Sequence, residues 1–191
     1  MSLAEQSDGL EELCFERIAD TLRQQAWVVV TDALPPALAE ALFAQVRVMG
    51  PDDFAAAGVG RSQAHTFNSF VRRDQIRWIE GATDAEKNWL GFCSRLQVYL
   101  NRKLFMGLFS FESHFAHYAP GAFYKKHLDA FRPDQTERGA RRVLSLVAYL
   151  NPGWQSADGG ELLIYDEQSL EPVHKVQPLY GTLVIFLSDQ V

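Results

Sequence analysis

Apolar positions recur at helical spacing in three stretches of the first 107 residues and in short strand-length runs after residue 108. Leu10, Leu13, Cys14, Ile18 and Leu22 follow the i, i+3, i+4 rhythm of an amphipathic helix. Trp27-Val28-Val29-Val30-Thr31 is a β-rich run and predicts a buried strand. Pro35 and Pro36 suit a helix start, and Leu38, Leu42, Phe43 and Val46 supply its apolar face. Residues 50–75 mix Gly50, Pro51, Gly58 and Gly60 with polar side chains, Phe67 and Phe70. They predict a long loop or weak hairpin, and a loop of that length in a compact domain tends to carry function. Thr83-Asp84-Ala85-Glu86 is a capping-box pattern. A helix is expected from there to about Lys103, burying Trp89, Leu90, Cys93, Leu96 and Leu100.

Six short runs then predict strands: 109–118, 122–129, 142–150, 161–165, 173–177 and 182–187. Turn signals separate them at Pro120-Gly121, Asn151-Pro152-Gly153, Asp158-Gly159-Gly160, Pro178 and Gly181. The expected fold is α+β, mainly β: a barrel or sandwich with the N-terminal helices packed outside. No linker or repeat divides the 191 residues, so a single domain is expected.

Composition narrows the partners. The 24 Asp and Glu outweigh the 18 Lys and Arg, giving a net charge of −6. Broad electrostatic binding to nucleic acid or an anionic membrane is therefore not expected. No run approaches the roughly 20 apolar residues that span a bilayer. Residues 1–9 carry no basic or apolar leader pattern, so a soluble, cytoplasmic protein is expected, a monomer or weak homodimer. Cys14 and Cys93 are too few for a disulfide framework or a four-cysteine zinc site, and two buried free thiols are expected.

The sharpest chemical signal is Tyr124-Lys125-Lys126-His127-Leu128-Asp129. On a strand, side chains at i and i+2 share a face, so His127 and Asp129 would stand side by side. That pair is two thirds of a 2-His-1-carboxylate triad, the ligand set of non-haem Fe(II) oxygenases. A histidine with a charge partner at a strand end gives the same three-residue pattern.

The surrounding order separates these readings. His117-Tyr118-Ala119-Pro120-Gly121 lies upstream. Arg142 begins a run that ends Tyr149-Leu150-Asn151; Gly159-Gly160-Glu161-Leu162 follows, then Pro178-Leu179-Tyr180-Gly181-Thr182-Leu183-Val184-Ile185-Phe186. The series resembles the catalytic core of the prolyl 4-hydroxylase-like Fe(II)/2-oxoglutarate dioxygenases over residues 108–191. The Arg72 to Gly81 segment is similar to a stretch in the oxygen-sensing prolyl hydroxylases and their bacterial relatives. The resemblance implies a double-stranded β-helix, of the jelly-roll or cupin kind, over 108–191, with 1–107 as its helical and loop support. It implies Fe(II), 2-oxoglutarate and O2, with ascorbate supportive, and hydroxylation of a prolyl residue in a protein or peptide. Succinate and CO2 would be co-products. By the same resemblance, His127 and Asp129 would hold iron. Tyr149 would bond the distal carboxylate of 2-oxoglutarate, Tyr118 would line the cosubstrate pocket, and Leu163 would form an apolar wall. Tyr124 and Arg142 would sit at the substrate rim, and Phe67 and Phe70 in a loop that closes over the substrate.

The family's second metal histidine and its cosubstrate-binding basic residue fall after the last run, and neither appears before Val191. The polypeptide is therefore expected to be cut or recorded in part, with its final strands missing. Two other readings stay open at this point. One is a non-catalytic β-helix binding module without a complete metal site. The other is a metal-dependent hydrolase using His127, Asp129 and either His114 or His117.

Overall fold

The computed structural model describes residues 3–57, 70–130, 142–166 and 169–190. Three helices lead: α1 (Leu3–Gln24), α2 (Pro36–Arg47) and α3 (Asp84–Leu104). On α1 the buried stripe is Phe15, Ile18, Ala19 and Leu22, whereas Leu10 and Leu13 are each 69% exposed. The expected stripe was right at Ile18 and Leu22 and rotated at its start. At 3.6 residues per turn, Leu13 lies about 140° around the helix from Ile18. On α2, Leu38, Ala39 and Leu42 turn inward, and Pro35 and Pro36 open the helix as expected. On α3, Thr83 caps the helix by accepting from the Glu86 backbone N–H at 3.1 Å. Trp89, Leu96 and Leu100 are buried as expected, together with Phe92 and Glu86.

Among the described residues the strands form three antiparallel sheets. The first has the order β1 (Trp27–Val30), β8 (Leu183–Leu187), β5 (Leu144–Ala148). The second has the order β2 (Ala55–Ala56), β3 (Gln75–Trp78), β4 (His114–His117). The third pairs β6 (Leu162–Ile164) with β7 (His174–Val176). Because side chains alternate along a strand, the first sheet is buried on both faces. Leu183 and Ile185 of β8 join Val28 and Val30 in the core shared with the three helices. Val184 faces the other way and packs with Ile164 and Val176 of the third sheet, beside Tyr149, Leu162 and Phe186. Gly181, at φ 78°, makes the turn into β8. Its N–H donates to Tyr149 O at 2.9 Å, and its own carbonyl accepts from Ala33 and Leu34. That turn fixes the end of β5, where Tyr149 sits.

Two expectations need correction. Residues 122–129 are not a strand; they hold one isolated bridge, Tyr124 opposite Arg72. Gly121, at φ 79°, turns the chain after β4, and among the described residues the segment then pairs only with residues 71–73. Conversely, β2 and β3 lie in and after the stretch expected to be loop. Of the four β3 residues only Ile76 is buried, so β3 carries little pattern of its own and is held by its pairing to β4. The rest of the expected loop, residues 58–69, lies outside the described residues.

Candidate active site

The chain reaches the site through the Tyr118-Ala119-Pro120-Gly121 turn, closed by Ala122 N–H donating to Ala119 O at 2.8 Å. Residues 123–125 then lie along 71–73. Arg73 N–H donates to Phe123 O and Lys125 N–H to Val71 O, each at 2.9 Å. A second fastening comes from Lys126, whose Nζ lies 3.9 Å from the Tyr165 ring centroid and donates to Ser169 O. His127 and Asp129 follow immediately.

Their geometry does not depend on a strand. His127 Nδ1 is 2.7 Å from Lys125 O, and Nε2 is 2.9 Å from Asp129 Oδ1. A carbonyl only accepts, so Nδ1 carries hydrogen and Nε2 is the nitrogen that meets the carboxylate. Two electron-rich atoms at that separation need a proton between them, or a cation to one side that both contact. The second carboxylate oxygen is already held. Ser145 Oγ donates to Asp129 Oδ2 at 2.5 Å and sits 2.9 Å from Ser188 Oγ. A hydroxyl has one proton, so Ser188 donates to Ser145, which donates to Asp129. Ala130 N–H donates to Ser188 O at 2.8 Å, tying the Asp129 segment to the end of β8. Burial pushes the Asp129 carboxyl up, but the bonds from His127 and Ser145 and the Arg142 charge outweigh it and hold it below its ordinary value. An ionised carboxylate oxygen and an imidazole nitrogen on one point, with the other carboxylate oxygen and Nδ1 anchored, suit a divalent metal.

The other expected site residues are placed as follows. Tyr149 is half-buried at the end of β5, in the cluster with Ile164, Val176 and Val184. Burial raises its phenol pKa, and Tyr118 adds to the shift, so the hydroxyl stays a donor at neutral pH. Tyr118 keeps 48% of its surface, within electrostatic reach of Asp74, Arg72, Tyr124 and Asp129. Tyr124 stacks on His127, ring centroids 3.5 Å apart and planes 16° apart. Arg142 Nη2 donates to Glu112 Oε1 at 3.2 Å, and Nη1 lies 3.4 Å from Asp129 O. Phe70 is 76% exposed; Phe67 lies outside the described residues. Leu163 is 42% exposed, and its neighbours Leu162 and Ile164 are the ones that pack beside Tyr149. On a strand a shift of one residue changes the face, so Leu162 and Ile164, not Leu163, face the cluster that holds Tyr149. His114 and His117 do not join the pair. They make ring contacts with Trp78 and Phe54, and no group of three His, Cys, Asp or Glu suited to a metal occurs among the described residues.

Sequence reading missed the two serines. The available signal was Ser145, a lone hydroxyl in the apolar run Leu144-Ser145-Leu146-Val147. It occupies the same strand face as Val147 and Tyr149.

Comparison with known proteins adds the following. A family model described as the 2OG-Fe(II) oxygenase superfamily matches residues 113–191. The crystal structure of a prolyl-4-hydroxylase from Pseudomonas putida is 38% identical, with 92% of this chain and 87% of that chain covered and a TM-score of 0.79. A Trichoplax adhaerens prolyl hydroxylase, in complex with a peptide fragment of the hypoxia-inducible factor oxygen degradation domain, is 23% identical at a TM-score of 0.77. The match covers 99% of this chain and 84% of that one. A viral collagen prolyl hydroxylase from Paramecium bursaria Chlorella virus-1, bound to 2-oxoglutarate, is 17% identical at a TM-score of 0.58, covering 87% and 83%. The last two show likeness of fold.

Proposed function

Because this chain belongs to the 2OG-Fe(II) oxygenase superfamily, as a prolyl hydroxylase-like 2-oxoglutarate- and Fe(II)-dependent dioxygenase, we propose that it hydroxylates a prolyl residue in a protein or peptide. The observation that carries the reading is the meeting of His127 Nε2 and Asp129 Oδ1 at 2.9 Å, in a chain 38% identical to a prolyl-4-hydroxylase. The sheets β1–β8–β5 and β6–β7, packed face to face, belong in this reading to a double-stranded β-helix.

The chain's residues divide the work. His127 and Asp129 would hold Fe(II). Ser145, backed by Ser188, keeps Asp129 Oδ2 occupied, so Oδ1 is the oxygen presented. Tyr149, a protonated phenol in an apolar cluster, donates to the distal carboxylate of 2-oxoglutarate. Tyr118 lines the cosubstrate's side, and Leu162, Ile164 and Val184 exclude water there. Tyr124, Arg142 and Phe70 stand on the side open to a peptide. Fe(II) with 2-oxoglutarate and O2 supplies the oxidising chemistry, releasing succinate and CO2 and leaving one oxygen on the substrate. Ascorbate would serve as a supporting reductant.

The test is to incubate full-length protein with Fe(II), ascorbate, 2-oxoglutarate and proline-containing peptides. Succinate release with a gain of one oxygen on a prolyl residue is the expected result. No peptide-dependent product from a preparation shown to bind iron would overturn the prolyl assignment. No succinate at all would favour the binding-module alternative.

A further inference from the structure

Behind the metal-facing pair lies a pile of side chains whose contacts lead to His127. Asp74 has a side chain with 0% exposure, and its carboxylate takes Arg72 Nε at 2.6 Å and Nη2 at 2.8 Å. The Arg72 guanidinium lies over the Tyr124 ring, 4.6 Å from its centroid. Tyr124 in turn stacks on the His127 imidazole at 3.5 Å. The backbones are locked as well: Arg72 bridges Tyr124, with hydrogen bonds on either side of it.

We propose that Asp74, Arg72 and Tyr124 are positioning residues that fix the ring plane of His127 and so set the affinity of its site for a divalent metal. This rests on the reading of His127 and Asp129 as metal holders. The physical argument concerns a torsion. A single hydrogen bond from Nδ1 to Lys125 O sets where that nitrogen points, but leaves the imidazole free to rock about the bond. A flat ring stacked 16° from parallel removes that freedom. Tyr124 can serve only if it is itself held, and a guanidinium over its face holds it. Arginine suits this place because its planar fork meets a carboxylate with two bonds while its face covers a ring. Asp74 is withdrawn from water, so the pair is costly to break from one side and the brace is stiff. Groups that orient a metal ligand without touching the metal commonly change affinity about 10–100-fold when removed.

Mn(II) binding to full-length protein, measured by calorimetry without cosubstrate, tests this together with far-UV circular dichroism. Tyr124→Leu should raise the Mn(II) dissociation constant about tenfold with the fold intact, whereas Tyr124→Phe, which keeps the stack, should stay within about twofold. Arg72→Lys should not restore wild-type affinity. Wild-type affinity in Tyr124→Leu overturns the proposal, as does an equal loss in Tyr124→Phe, which would assign the effect to the hydroxyl. A second readout needs no metal. The His127 ring protons of the metal-free protein should resonate upfield beneath the Tyr124 ring and return to ordinary positions in Tyr124→Leu. If Mn(II) binds wild type and His127→Ala alike, the metal reading of His127 fails, and these ring-proton shifts alone decide the positioning role. Their absence in the wild type overturns it, and their loss on Tyr124→Leu upholds it.

Discussion

Glu86 shows how much a single buried carboxylate can organise. It is 1% exposed, yet its two oxygens accept from five donors. Oε1 accepts from Gln45 Nε2 at 2.6 Å and Arg77 Nη1 at 3.3 Å. Oε2 accepts from the backbone N–H groups of Glu80, Gly81 and Ala82. The group thus joins α2, β3 and the turn before α3. Burial pushes its pKa up, but Gln45, the N–H groups of Ala82 and Glu80, and the Arg77 charge outweigh that and hold it below the ordinary value. A carboxylate with a depressed folded pKa contributes stability above its unfolded value, and that contribution is lost as pH falls through the folded value. Glu86→Gln should therefore cost about 2 kcal/mol at pH 7, read from urea denaturation. The gap to wild type should begin to close as pH drops below the ordinary glutamate value of about 4.3. A gap that stayed constant down to pH 2 would mean the loss comes from packing rather than charge.

At the scale of an element, α3 carries its ends in contrasting ways. Its start is well capped by Thr83. Its end is Phe105, a non-glycine residue at φ 55° and 89% exposed. A left-handed conformation costs an L-residue roughly 1–2 kcal/mol, which glycine avoids. Phe105 gains little burial to offset it. Phe105→Gly should stabilise the protein by about 0.5 kcal/mol once the greater freedom of glycine in the unfolded chain is counted. The check is a higher urea midpoint at unchanged slope; a lower midpoint would show that the exposed ring makes contacts that matter more than the backbone.

For the whole molecule, the three helices and one face of β1–β8–β5 share a single core. Cys93, on α3, packs against it, and burial pushes its thiol up to about 12. The thiolate is the reactive form, so native Cys93 should resist alkylation at pH 8. In a Cys14→Ser background, iodoacetamide labelling of Cys93 should rise across a urea series together with the loss of helical circular dichroism. Labelling that runs well ahead of unfolding would show that α3 opens separately from the shared core.

Much of this architecture could be read along the chain because its signals are local. The cap at Thr83, the stripes of α2 and α3, the turn glycines and the order from Tyr118 to Phe186 lie within windows of a few residues. They identified the helices and most strands, and they singled out His127, Asp129, Tyr118 and Tyr149 as candidates for the site. Contacts between segments distant in sequence have no such signature. Residues 122–129 had a strand-like pattern but found, among the described residues, only one short partner, while β3, with almost none, became a strand by pairing with β4. The inward turn of Leu162 rather than Leu163 depends on how β6 meets β7 and the sheet opposite. Ser145 reaches Asp129 because β5 runs beside β8, and Arg72 reaches Tyr124 because residues 71–73 lie along 123–125. Periodicity in a sequence reports which side of an element is apolar, and only folding selects which polar atoms from separate elements meet on it.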